Sequence, residues 1–100
     1  MRYRRVKRDA VQKPITEALL AVGCSVVDLA MVGGGVGDLL VGVRGHNLLF
    51  ECKDPARRNE KFSGTRLATE ERQATFRANW KGQQAVVYSV DEALYQVSCV

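Results

Sequence analysis

The sequence predicts an α/β domain whose elements run in the order α-β-β-β-α-β-α. Three observations carry that expectation. Apolar residues recur at helical spacing near the start, at Ile15, Ala18, Leu19 and Val22. Two strand-like apolar runs flank Arg44 and Gly45 as the arms of a hairpin do. A second helical face, Gln73, Phe76, Arg77 and Trp80, is followed by the β-branched run Ala85 to Val90. With 100 residues, 46% of them hydrophobic and 26% charged, the chain suits a single domain, 1–100, and excludes a multidomain mechanism.

Taken in order, the first helix is expected over Gln12 to Val22, with Gly23 as its stop. Pro14 belongs in its first turn, which leaves the residues before Gln12 extended. Cys24 to Val32 reads as a strand running into the glycines at 33, 34 and 35. Asp38 to Val43 and His46 to Lys53 then form the hairpin, with Gly45 and His46 at the turn. Pairing Arg44 with Asn47 sets Asp38 opposite Lys53 and Leu40 opposite Glu51. An exposed basic loop comes next, through Asp54, Arg57, Arg58, Lys61 and Gly64. Thr69 is the expected N-cap of the next helix, Lys81 and Gly82 its end, and Phe76 and Trp80 its buried side. Ala85 to Val90 is the last strand, and Asp91 caps a short helix through Tyr95.

The formal charge of +4 leans mildly toward an anionic partner. Its placement says more, because Arg2, Arg4, Arg5, Lys7 and Arg8 precede any acid and make residues 1–8 a basic arm. Such an arm either contacts phosphate or is a solvated terminus. Three widely spaced cysteines, Cys24, Cys52 and Cys99, fit neither a disulfide framework nor a zinc site and are read as thiols. His46 has no partner spaced for a metal pair or a triad. No apolar run reaches the roughly 20 residues of a membrane span, and no signal-peptide core follows the basic start, so a cytoplasmic protein is expected.

Side-chain alternation puts Asp38, Leu40, Leu49, Glu51 and Lys53 on one face of the hairpin, and Leu48, Phe50 and Cys52 on the other, toward the core. Strands of a small domain rarely place two acids and a lysine together. An exposed ion pair between Glu51 and Lys53 is one explanation, worth about 0–1 kcal/mol. Leu49 on the same face argues that the face is partly covered. A divalent cation explains more: Asp38 and Glu51, as diagonal neighbours, converge on one hard ion with the Cys52 carbonyl in reach. Lys53 then holds the attacking water or the charge developing on phosphorus.

These residues resemble the PD-(D/E)XK nucleases, and among them the stand-alone VRR-NUC (virus-type replication-repair nuclease) domains of phages and bacteria. The resemblance rests on Gly37-Asp38-Leu39-Leu40-Val41-Gly42, Leu49-Phe50-Glu51-Cys52-Lys53-Asp54, Gln73, and Trp80-Lys81-Gly82-Gln83 before Ala85-Val86-Val87. It covers the chain from Asp9 to Leu94. It implies a restriction-endonuclease-like fold, a central mixed sheet flanked by helices. It implies Mg2+, which Mn2+ can replace, with Asp38 and Glu51 as metal ligands, Lys53 as catalytic lysine and Gln73 completing the site. It further implies a homodimeric DNA endonuclease acting on branched DNA such as four-way (Holliday) junctions, in DNA repair. Gly37 stands where the family usually has proline. Gln12 stands near where related nucleases often place an acid; an amide binds a metal less strongly, and the alternative is a helix-start residue.

The glycine loop is not a P-loop, since it lacks the Lys-Ser/Thr ending and opens no helix. Gly34 and Gly35 either let the backbone approach a DNA phosphate or simply connect strands. With Arg4, Arg5 and Arg8, the residues Arg44, Arg57 and Arg58 are the candidate DNA contacts, and Lys61, Arg66 and Arg77 share that possibility. Met31, Tyr88, Tyr95 and Val97 are candidates for a dimer interface. The rival readings are a catalytically silent DNA-binding module, a flap-type nuclease, and a restriction-type nuclease, for which 100 residues leave little chain to read bases.

Overall fold

The structure is a computed structural model that describes residues 2–59 and 61–100, with side chains described from residue 10 onward. Its elements are α1 (Arg2–Ala21), β1 (Ser25–Asp28), β2 (Leu39–Val43), β3 (His46–Cys52), a 3-10 turn (Pro55–Arg57), α2 (Gly64–Asn79), β4 (Gln83–Val87) and α3 (Val90–Ser98). The order α-β-β-β-α-β-α is the expected one.

The strands form one sheet in the order β1-β2-β3-β4. β1 to β3 are antiparallel neighbours, and β4 joins β3 in parallel after the α2 crossover, so the sheet is mixed. On one face Leu39, Val41, Leu48, Phe50 and Val87 meet Ile15 and Leu19 of α1 and Ala93 and Val97 of α3, forming the core. On the other face lie Leu49, Glu51 and α2.

Several boundaries differ from expectation. α1 begins at Arg2, so the residues before Gln12 are helical and Pro14 sits inside the helix. An interior proline removes a hydrogen bond, at about 3 kcal/mol. The stretch ahead of it, rich in Arg and Lys with no glycine, favours helix by propensity, and buried Ile15 and Leu19 anchor the turns after it to the core. Gln12 is therefore mid-helix rather than a helix start. The helix closes with Cys24 N–H donating to Leu19 O and Gly23 N–H to Leu20 O, both at 3.0 Å.

β1 stops at Asp28 because its carboxylate accepts the N–H of Ala30 at 2.8 Å and turns the chain. The hairpin turn is Arg44-Gly45, with φ of 48° and 82°, as a two-residue hairpin turn with positive φ at both positions requires. Leu40 consequently faces Leu49 rather than Glu51, two residues from the expected register. A shift of two leaves every side chain on its expected face.

α2 starts at Ser63–Gly64, well before Thr69, and none of its residues is buried. Phe76 is only half-buried and Trp80 is exposed, contrary to the expected apolar inner side. β4 ends at Val87, since Ser89 caps α3 by accepting Glu92 N–H at 3.1 Å. Among the dimer candidates Val97 is core, Tyr88 is half-buried, and Met31 and Tyr95 are exposed. Among the described residues, no helix is long and apolar enough to cross a membrane.

Candidate active site

The site forms where the glycine loop, the open end of the β2–β3 hairpin and α2 meet around a cavity of about 850 Å3. Asp38 immediately precedes β2. Its backbone N–H donates to Phe50 O at 2.8 Å, and its Oδ2 accepts the N–H of Cys52 at 2.7 Å. These two bonds bracket Glu51 and set the Asp38 carboxylate beside it, instead of opposite Lys53.

Gly37 makes this approach possible. Its φ is +116°, and a Cβ there would lie 3.1 Å from Phe50 O. Proline, held near −65°, cannot adopt that conformation. Gly35, at φ +78°, brings the loop against α2, where a Cβ would meet Arg72 O at 3.0 Å.

Glu51 is buried on β3. Its Oε2 accepts from Gln73 Nε2 at 2.9 Å and lies 3.6 Å from Lys53 Nζ, while its Oε1 is buried with no hydrogen-bond partner. Burial first and the Asp38 charge second raise its pKa to about 7, against the pull of Lys53 and Arg77. Lys53 donates to Gln73 Oε1 at 2.7 Å and to Glu70 Oε2 at 2.5 Å. Gln73 therefore holds the acid and the lysine with one amide, and α2 stands on the sheet through these polar bonds.

The four residues expected to act together, Asp38, Glu51, Lys53 and Gln73, all line the cavity, as does Cys52. Among the described residues no three His, Cys, Asp or Glu side chains cluster as a metal site. A hard cation here would draw on two carboxylates, with the Cys52 carbonyl and water supplying further oxygens. The unpartnered Glu51 oxygen beside a second carboxylate fits such an ion.

Of the expected DNA contacts, Gly34, Gly35, Arg57 and Arg58 line the cavity, together with Arg66 and Arg72. Arg58 also pairs with Glu92 at 2.7 Å and lies 3.8 Å over the Tyr88 ring, so it is tied to the fold. Arg44 is elsewhere: at the hairpin turn it donates to the carbonyls of Val97 and Val100, at the end of α3. The side chains of Arg4, Arg5 and Arg8 lie outside the described residues. Gln12, buried on α1, donates to Asp28 Oδ2 at 3.2 Å.

Two residues join the site in roles not foreseen from the sequence. Glu70 sits one turn before Gln73, and that spacing is visible in the sequence. Arg77, one turn after Gln73, acts on Glu51 from behind, with a buried Nη1 that has no hydrogen-bond partner.

A mixed sheet with two carboxylates, a lysine and a glutamine gathered at one end of a hairpin defines a nuclease-like α/β domain. A solved structure described as a VRR_NUC domain is similar to this chain, with 32% identity and a TM-score of 0.56, over 89% of this chain and 91% of that one. The chain belongs to the VRR-NUC family of nuclease domains. No family model matches the chain, and no curated protein matches it.

Proposed function

We propose that this protein is a Mg2+-dependent endonuclease that hydrolyses phosphodiester bonds in branched DNA, four-way junctions among them. The observation that carries the reading is the pairing of Asp38 with Glu51, whose buried Oε1 lacks a partner, beside a lysine fixed by Gln73 and Glu70. A structural ion pair would not need the second carboxylate or the amide.

Asp38 and Glu51, with the Cys52 carbonyl, are the residues that would hold the cation. Bound there, a divalent ion supplies a polarised phosphate and a more acidic water. Cys52 N–H fixes the Asp38 carboxylate, and Gln73 keeps Glu51 and Lys53 in register. Lys53 offers its ammonium to the charge that grows on the phosphate oxygens in the transition state. Arg57, Arg66 and Arg72 at the cavity rim meet the flanking phosphates.

The domain, 1–100 with its basic segment 1–8, is proposed to act as a homodimer, since twofold symmetry presents two identical sites to a symmetric junction. The test is incubation with linear, flap and four-way DNA, with Mg2+ and with chelator. Cleavage of branched DNA in Mg2+ alone supports the proposal. Binding without cleavage returns the chain to a silent DNA-binding module, and single nicks on flaps alone to a flap nuclease.

A further inference from the structure

α2 ends on an aromatic pair that the catalytic chemistry leaves without a use. Trp80 donates its backbone N–H to Phe76 O at 3.0 Å, and the two rings stack with centroids 5.3 Å apart and planes 17° apart. A Cβ on Gly82 would stand 2.8 Å from Trp80 Nε1, so only glycine leaves room for the indole in this position. The indole thus stacks on Phe76 with one face, in space that Gly82 leaves open at its edge, and it remains 45% exposed. A tryptophan stacked on a neighbouring ring and left in water is unusual, because the residue is on average well buried.

An open groove runs beside the pair, and Gly34 and Arg72 line both this groove and the cavity that holds Asp38 and Glu51. The two spaces are therefore neighbours, meeting at the glycine loop and α2. Glu71 also lines the groove and offsets the charge of Arg72, which leaves no net pull on phosphate there. A neutral, flat group suits it better. Nucleobases are such groups, and successive nucleotides of a strand entering the cavity would pass this point.

We propose that the groove seats an unpaired nucleobase, stacked on Trp80, of the DNA strand whose phosphate enters the Asp38–Glu51 cavity. This deepens the nuclease reading and rests on it. Bases within a duplex have both faces covered by neighbours, whereas an unpaired base offers a face to an aromatic ring whatever its identity. The platform gives the domain a means of preferring single-stranded or branched DNA over continuous duplex without reading sequence.

Trp80 is the sole tryptophan, so its emission reports on the site directly. Wild-type protein in chelator and low salt is titrated with a short oligothymidine and with a blunt duplex, and DNA binding is followed separately by anisotropy. The expected result is quenching of Trp80 by the single strand and little change with duplex. Trp80→Ala should weaken oligothymidine binding on the order of tenfold, and Trp80→Phe much less. Duplex affinity should move less than about twofold in both variants on the same reasoning. Oligothymidine that binds by anisotropy with unchanged emission overturns the platform while leaving the nuclease reading intact. So does equal loss of single-strand and duplex binding in Trp80→Ala. Emission that changes with protein concentration in the absence of DNA, and no further when DNA binds, also overturns it, assigning the ring pair to a contact between copies. Failure to bind DNA of any shape removes both the platform and the nuclease reading.

Discussion

Gln73 accepts a hydrogen bond from Lys53 Nζ at 2.7 Å while its own amide donates to Glu51 at 2.9 Å. One side chain on α2 thus sets the distance between Glu51 on β3 and Lys53 just beyond the strand's end. An amide can accept from the lysine and donate to the carboxylate at once, whereas an ionised carboxylate in its place could only accept.

Gln73→Ala is therefore expected to slow cleavage on the order of a hundredfold, with DNA affinity nearly unchanged. Single-turnover kinetics and anisotropy on the same variant separate the two effects. Gln73→Glu should be worse, since it puts a third carboxylate against Glu51 and Asp38. A rate loss matched by an equal affinity loss would make Gln73 a DNA contact instead.

Glu51 provides a pH signature. Its pKa is raised from an ordinary 4.5 to about 7, so between those values the folded protein binds more protons than the unfolded chain. The resulting contribution to stability is fully present below about 4.5 and is lost as pH rises through about 7. Metal-free Glu51→Gln should melt at a higher temperature than wild type at alkaline pH and close to it in mild acid. Thermal denaturation across pH in chelator measures this, and a constant difference between the two proteins would contradict it.

Much of the site is legible in the sequence because strand alternation survives an error in register. Placing the turn at Gly45-His46 instead of Arg44-Gly45 moves the pairing by two residues, which changes partners and not faces, so Asp38, Glu51 and Lys53 still emerge together. The true turn is hidden because arginine at φ 48° goes against its own preference, and only its bonds to the carbonyls of Val97 and Val100, distant in sequence, account for it. The start of α1 is hidden by Pro14, which suits a first turn better than the helix interior it occupies. α2 escapes the apolar pattern because its inner face is Glu70, Gln73 and Arg77, held by hydrogen bonds and charge rather than by an apolar stripe. No periodicity rule announces such a helix.

Gly37→Ala should lower stability by about 1–2 kcal/mol, because alanine is strained at positive φ and its methyl would crowd Phe50 O. Gly37→Pro should lower it further and displace Asp38, because proline cannot reach the positive φ found there. Chemical denaturation of the two variants checks the order. A stable, active Gly37→Pro would show that the loop adopts a second conformation.

Arg44→Ala should cost about 1–3 kcal/mol of stability through the lost bonds at the end of α3. Cleavage and DNA affinity should be unaffected, since Arg44 does not line the cavity. Urea denaturation and anisotropy together distinguish this structural role from the DNA contact its charge suggests.

The pairing of Asp38 with Glu51 is tested most directly by single-turnover cleavage of a labelled four-way junction in Mg2+, with wild type and Glu51→Gln side by side at saturating protein. Wild type should cut the junction, and Glu51→Gln should bind it at least as tightly while its rate falls to background. Equal rates in the two proteins would contradict the assignment of this carboxylate pair as the catalytic centre.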